Sequence, residues 1–365
     1  METEYAIIGG GIVGLSLAWG LLKSGRRVTV LDGEDGDFRA SRGNFGLVWV
    51  QGKGFKQPRY AQWSQQSAAL WGEFADELSD ATGLSVPLEQ SGGLDLHFNE
   101  ETLSQTIDAY NALKTQLGGD YPFEVLGGNA LKKEEPHIGP KVVGAILHHQ
   151  DGHANPLSLL RALSADVRRM GGRVVTSKFV SRVTKPDSFR IECQDGTCVF
   201  SQKIILSAGL GSAQLGPQLG FIAPITPERG QVLITEKMPK LIRRPSLIAR
   251  QVDEGGIQIG ATNEDVGFDN RTTGTGIARL AADAVSAYPA LAKVQVVRAW
   301  GALRVLSPDG LPIYQESTTY PGAFLVTCHS GVTLAAAHAR LLPAWFEKSQ
   351  AAPNLEVFSE NRFAV

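Results

Sequence analysis

Apolar positions run together or alternate at a few places along the chain, and these define its first elements. Tyr5–Ile8 is an unbroken apolar run, the pattern of a strand buried on both faces. Residues 12–22 carry bulky side chains at helical spacing, and residues 27–31, RVTVL, read as the next strand. Two later segments read as strands ending in glycine: KIILSAGLGS (203–212) and GAFLVTCHSGVTLAAAHARLL (322–342). In the second, strand 323–327 is expected to meet Gly331, with a helix following. Period-two alternation marks LEQSGGLDLHF (88–98), with helical character after it to about Gln116. It returns in PERGQVLITE (227–236), GIQIGAT (256–262) and VQVVRAWGALRV (294–305), with a helix near 274–288. Cys193 and Cys198 flank Asp195-Gly196, a hairpin signal that predicts both thiols on a surface hairpin.

The first strand, helix and second strand enclose a glycine turn, and this context makes the glycines informative. Gly9 permits the tight turn, Gly11 lets backbone approach a pyrophosphate, and Gly14 lets helix pack closely on strand. Asp32 ends the second strand, 18 residues after Gly14, where a carboxylate can accept both ribose hydroxyls. The expected ligand is a dinucleotide carrying adenosine, FAD or NAD. An NAD enzyme would continue with further βαβ units. Here residues 33–54 form a glycine-rich loop with an arginine and an asparagine, suited to hugging a ligand. The strand–glycine–helix unit at 323–342 would place a helix N-terminus where a reduced flavin carries negative charge. These features favour flavin.

Composition narrows the class. The 365 residues are 43% apolar and 20% charged, ordinary for a globular protein of one or two domains. A net charge of −2, with no basic run longer than two residues, as at Arg243-Arg244, gives no footprint for nucleic acid. No leader is expected ahead of the first strand, and no apolar run reaches the roughly 18–20 residues a membrane helix needs. A cytoplasmic protein, membrane-peripheral at most, is expected. Three cysteines argue against a disulfide framework and cannot ligate an iron–sulfur cluster that needs about four. HExxH, P-loop and GxSxG motifs are absent.

The glycine turn with Asp32 is followed by ASRGNFG (40–46), DGHANP (151–156), GGRVV (171–175) before Val180, SAG (207–209), WGALRVLSPDGLPI (300–313) and CHSG (328–331). In this order the chain resembles the FAD-dependent D-amino-acid oxidase superfamily, in the branch that oxidises glycine, sarcosine and D-hydroxyproline. Within it, FRASRGNFGLVWVQGKG (38–54) is most similar to the B subunits of bacterial opine (octopine or nopaline) oxidases and to D-hydroxyproline dehydrogenases. The resemblance implies an α/β (α+β) fold, a Rossmann-like FAD-binding domain with an antiparallel-sheet substrate domain. The expected division is 1–85, 140–220 and 305–350 for FAD, 86–139 and 221–304 for substrate, and a tail at 351–365.

The same resemblance implies the site. Cofactor contacts are expected at Gly9, Gly11, Ile12, Val13, Gly14, Asp32, Ser41, Arg42, Asn44, Gly46 and Leu47. They continue at Val180, Ala208, Gly209, Arg304, His329, Ser330, Gly331, Val332 and Thr333. Arg304 and His329 are the expected catalytic residues, with Arg304 forking onto a substrate carboxylate. Val305 stands where the family carries proline. Neither RAWGALRV nor ASRGNFG holds the cysteine or histidine of flavin-linked relatives, so non-covalent FAD is expected. FMN at a subunit interface, and a larger A subunit with nucleotide and iron–sulfur sites, are further implications. No metal is expected on this chain. The small-molecule substrate is an amino-acid derivative. For an opine with two carboxylates, Arg229 or Arg250 is the expected second basic group. Asn44, Gln51 and Lys53 could reach the ring, the substrate or solvent; a lysine assists oxygen activation in some relatives. His153 reads as structural. An oxygen-using oxidase and a non-catalytic flavin-binding subunit remain open.

Overall fold

The computed structural model describes residues 2–33 and 39–364; part of the expected ligand-hugging loop, 34–38, lies outside the described residues. Five strands run parallel. In spatial order they are Ala323–Thr327, Cys198–Leu206, Glu2–Ile8, Val28–Leu31 and Arg173–Val175. Three antiparallel strands, Val180–Thr184, Phe189–Cys193 and Ile313–Glu316, complete this eight-stranded sheet.

The apolar run of the first strand feeds two cores because its side chains alternate faces. Tyr5 and Ile7 pack with helices Ile12–Lys23, Pro58–Thr82 and Pro156–Arg169, whereas Ala6 and Ile8 pack with Leu215, Leu219 and Phe221 on the other side. Trp19 Nε1 donates to the buried Asp166 carboxylate at 2.7 Å and ties the first of these helices to the third.

A separate four-stranded antiparallel sheet, Ala249–Gln251, Gly256–Gly260, Thr226–Lys237 and Val296–Leu306, packs its Leu233, Ile257 and Ile259 against helix Gly274–Ala287. A three-stranded sheet joins Gly93–His97 to Gly144–His148 and Glu124–Gly127. Helix Glu100–Gln116 follows the first of these strands, capped by Asn99, whose side chain accepts from the amides of Glu101 and Thr102. A third small sheet pairs Leu47–Val48 and Leu88–Glu89 with Gly152–Ala154.

Two local details go beyond the sequence pattern. The helix expected after Gly331 begins at Ala335. Ser67, on helix Pro58–Thr82, is the reason. Its hydroxyl donates to the Thr333 carbonyl and accepts from the Ala337 amide, so it stands where the helical Ala337–Thr333 bond would form. The 193–198 hairpin forms as expected, with Gly196 at φ +83°, but Cys193 is buried within the sheet's second core.

Candidate active site

All five parallel strands end at one elongated cavity of about 1140 Å³. At about 4.8 Å between strands, it crosses about 19 Å of sheet, from Thr176 beyond the fifth strand to Cys328 beyond the first. Of the expected cofactor contacts, Gly9, Gly11, Ile12, Val13, Asp32, Ser41, Arg42, Asn44, Val180, Ala208, Gly209, His329, Gly331 and Val332 line it. Gly14, Gly46, Leu47, Arg304, Ser330 and Thr333 do not.

The middle of the cavity is a cradle that side chains would fill. Gly9 adopts φ +110°, and a Cβ there would stand 2.3 Å from the Ser207 carbonyl. At Gly10 a Cβ would stand 2.4 Å from Asp32 Oδ2, and at Gly14 one would stand 1.9 Å from the Gly9 carbonyl. The Ile12 amide, in the first turn of its helix, donates to Ser41 Oγ at 3.0 Å. Beside it, Arg39 approaches Asp32 at 3.4 Å. Gly10 and Arg39 were missed from the sequence. Gly10 was legible as the middle of GGG; Arg39 lies in the loop without a spacing to single it out.

The far end is built by the C-terminal turn. His329 exposes its surface to the cavity it lines, yet the surrounding protein still desolvates the ring. That desolvation, then Arg304, then Lys53, holds its pKa down to about 4, so the imidazole is neutral. Burial pushes the Cys328 thiol up to about 12, far from a nucleophilic thiolate. Ser330 Oγ accepts from Tyr60 at 2.9 Å. The Thr333 hydroxyl is occupied by the 47–53 segment: it accepts from the Trp49 amide at 3.1 Å and from Lys53 Nζ at 3.2 Å, and donates to the Leu47 carbonyl at 3.3 Å. Thr333 and Leu47 therefore support the site from behind.

Arg304 is half-buried on strand Val296–Leu306 and donates from Nη1 to Glu228, its cross-strand partner, at 2.7 Å. Its guanidinium lies over Gly230, where a Cβ would stand 2.7 Å away. Trp300 and Ala302, on the same side of the strand, face Gly43. Arg229, one residue from Glu228, points to the opposite face and is committed to Glu264 at 2.5 Å and Asp269 at 3.1 Å. It does not serve as the second basic group. Arg250 is buried and donates to the Phe45 carbonyl, to His153 Nδ1 at 3.0 Å and to Gln258 Oε1 at 2.6 Å. It pins the 44–46 turn, with Gly46 at φ +88°. His153, its pKa lowered to about 3 by burial and then Arg250, is a neutral partner in that lock. Gln51 is buried too and donates to Asp151 at 2.9 Å and to the Gly93 carbonyl at 3.0 Å.

A family model described as FAD dependent oxidoreductase matches residues 4–345. The chain belongs to this family. It is an FAD-dependent oxidoreductase. The opine oxidase B subunit from Rhizobium meliloti is 41% identical over 364 residues, covering 99% of this chain and 98% of the relative. Among solved structures, glycine oxidase from Geobacillus kaustophilus superposes with a TM-score of 0.91 at 23% identity, covering 98% of both chains. Iminodiacetate oxidase from Chelativorans sp. BNC1 does so at 0.86 and 22% identity, again covering 98% of both. The residues present fit FAD: the glycine cradle suits a pyrophosphate, Asp32 suits a ribose, and the cavity is long enough for a dinucleotide. Among the described residues no helix is long and apolar enough to cross a membrane, and no cluster of three or more His, Cys, Asp and Glu could hold a metal.

Proposed function

We propose that the chain oxidises the C–N bond of an opine, a secondary-amine amino acid, as the flavin-bearing catalytic subunit of a heteromeric dehydrogenase. The observation that carries this reading is Arg304, preset by Glu228 and acting electrostatically on the neutral His329, which lines one end of the cavity. The end-to-end likeness to an opine oxidase B subunit supports the choice of substrate class. FAD, when bound, supplies the acceptor for the hydride lost from the substrate α-carbon.

The protein's own part is position and charge. Glu228 takes one Nη of Arg304, which leaves the other edge of the fork for a substrate carboxylate. His329, with its low pKa, stays neutral near the substrate amine and adds no positive charge where an iminium develops. The cradle at 9–14, Asp32 and Ser41 hold the nucleotide half. The high thiol pKa of Cys328 agrees with non-covalent flavin. Residues 1–85, 140–220 and 305–350 form the FAD-binding part, and 86–139 and 221–304 the substrate part. The partner is a larger subunit that takes the electrons onward.

Turnover tests this reading. The chain co-expressed with its partner should convert octopine or nopaline to a keto acid and an amine with an artificial electron acceptor. Turnover of cis-4-hydroxy-D-proline or N-methylglycine in place of opines would move the substrate assignment. Fast peroxide formation by the isolated chain would replace the dehydrogenase with an oxidase.

A further inference from the structure

The four-stranded sheet that carries Arg304 is built from one contiguous stretch, 226–306, so the chain crosses to it from the eight-stranded sheet once and returns once. The outward crossing, 207–225, follows strand Cys198–Leu206; the return, 307–312, precedes strand Ile313–Glu316. The two crossings meet side by side, because Thr226 pairs with Leu306 in the same ladder that pairs Glu228 with Arg304. A shift at this junction therefore moves Arg304 against the parallel strands, one of which, Ala323–Thr327, leads into His329.

The C-terminal tail closes on both crossings. Its two short turns, Glu356–Phe358 and Glu360–Phe363, bring a buried acid and an arginine to them. Glu360 is 4% exposed, and its carboxylate accepts from the Ile222 amide at 3.1 Å and from the Ala223 amide at 3.0 Å. Ala223 stands at φ +44°, a conformation that a residue with a side chain holds only where its surroundings fix it. Arg362 serves the return crossing. Its Nε and Nη2 fork onto the Asp309 carboxylate at 2.7 and 3.1 Å, and Nη2 also donates to the Pro312 carbonyl at 3.0 Å. Its Nη1 donates to the tail's own Phe358 and Ser359 carbonyls at 2.7 and 2.9 Å. Asp309 in turn accepts from Ser307 Oγ at 3.1 Å and from the Leu311 amide at 3.0 Å. Phe358 packs edge-on against Tyr60, whose hydroxyl donates to Ser330 beside His329.

Leu355 and Phe358 already bury the tail in the core they belong to. Glu360 and Arg362 do something else: each ties the tail to one of the two crossings. We propose that residues 356–363 are a clamp across the junction, and that Glu360 and Arg362 are positioning residues that hold Arg304 in register with the turn carrying His329. The clamp stands on the tail's own contacts; its effect on substrate binding rests on the opine reading above.

Two readouts on the assembled holoenzyme test it. In Arg362→Met, amide hydrogen exchange should speed up about tenfold at 222–226 and 304–311 and stay unchanged in strand Cys198–Leu206. Exchange that rises evenly in both sheets, or nowhere, overturns the proposal. Octopine kinetics test the positioning. Arg362→Met should raise KM about fivefold on its own and less than about twofold in an Arg304→Lys background, because both changes act through one group. Equal increases in the two backgrounds overturn the positioning role. Leu355→Ala removes buried apolar surface but no bond to either crossing, so it should lower the urea midpoint and leave KM alone. A rise in KM there as large as in Arg362→Met contradicts the proposal. Glu360→Gln, which keeps the shape and weakens the acceptor, should show the same pattern as Arg362→Met and replaces it if that variant does not fold. If wild type oxidises no opine, the opine reading fails and hydrogen exchange alone decides the clamp.

Discussion

Arg304 and Glu228 show what a single position can decide. A lysine at 304 keeps the charge but loses the fork, so under the proposed carboxylate role it can hold Glu228 or the substrate and not both. Arg304→Lys should lower kcat/KM by about 10- to 100-fold, as expected for loss of a charge-assisted bond of roughly 1.5–3 kcal/mol, mainly through KM. Steady-state kinetics of the assembled enzyme check this; an unchanged KM would remove Arg304 from the substrate site. Gly10→Ala is a sharper test of the cradle. Its Cβ would meet Asp32 Oδ2 at 2.4 Å, so the purified variant should lose FAD while keeping its far-ultraviolet circular dichroism. At this scale the sequence was informative wherever backbone geometry demands one residue type, as at Gly9 and Gly14. It left Lys53 open between ring, substrate and solvent, because its pose depends on Thr333, 280 residues away. It was misleading on Arg229, because one step along a strand reverses the face.

Elements were legible where the period was clean. The opening strand–turn–helix–strand and helix Gly274–Ala287 stand where the pattern placed them. The start of the C-terminal helix was not legible, because Ser67 from another helix replaces one of its backbone bonds. Ser67→Ala strands the buried Ala337 amide and leaves the Thr333 carbonyl with Trp71 Nε1 as its remaining donor. It should cost about 1–3 kcal/mol in urea unfolding and loosen the turn carrying His329 and Thr333. No loss of stability would mean that the helix simply re-forms its own bond. Cys193 is another case: a hairpin signal marks the turn, while burial of its side chain depends on the sheet it joins.

For the whole molecule, the cores carry neutral histidines whose protonation opposes folding. Burial lowers His148 to about 4, and His153 and His338 to about 3. Unfolded histidine titrates near 6.5, so below that pH the unfolded chain takes up protons that the folded chain refuses. This contribution to stability is complete above about pH 6.5 and declines as pH falls toward the folded values. Each histidine should cost about 2 kcal/mol by pH 5. Urea midpoints at pH 7 and pH 5 read the sum, and equal midpoints would contradict it. The parallel sheet and its cofactor groove were foreseeable from a few glycines and one acid. No periodicity or motif marks a surface for a partner.

The central claim is that this chain, loaded with FAD, removes a hydride from an opine at the site between Arg304 and His329. The most direct measurement is anaerobic: the purified, flavin-loaded chain titrated with octopine or nopaline while its visible spectrum is followed. The account predicts stoichiometric bleaching of the flavin band with an opine, abolished in Arg304→Ala, and slow recovery on admitting oxygen. A flavin band that stays intact with every opine, in a chain that holds its FAD, would contradict it.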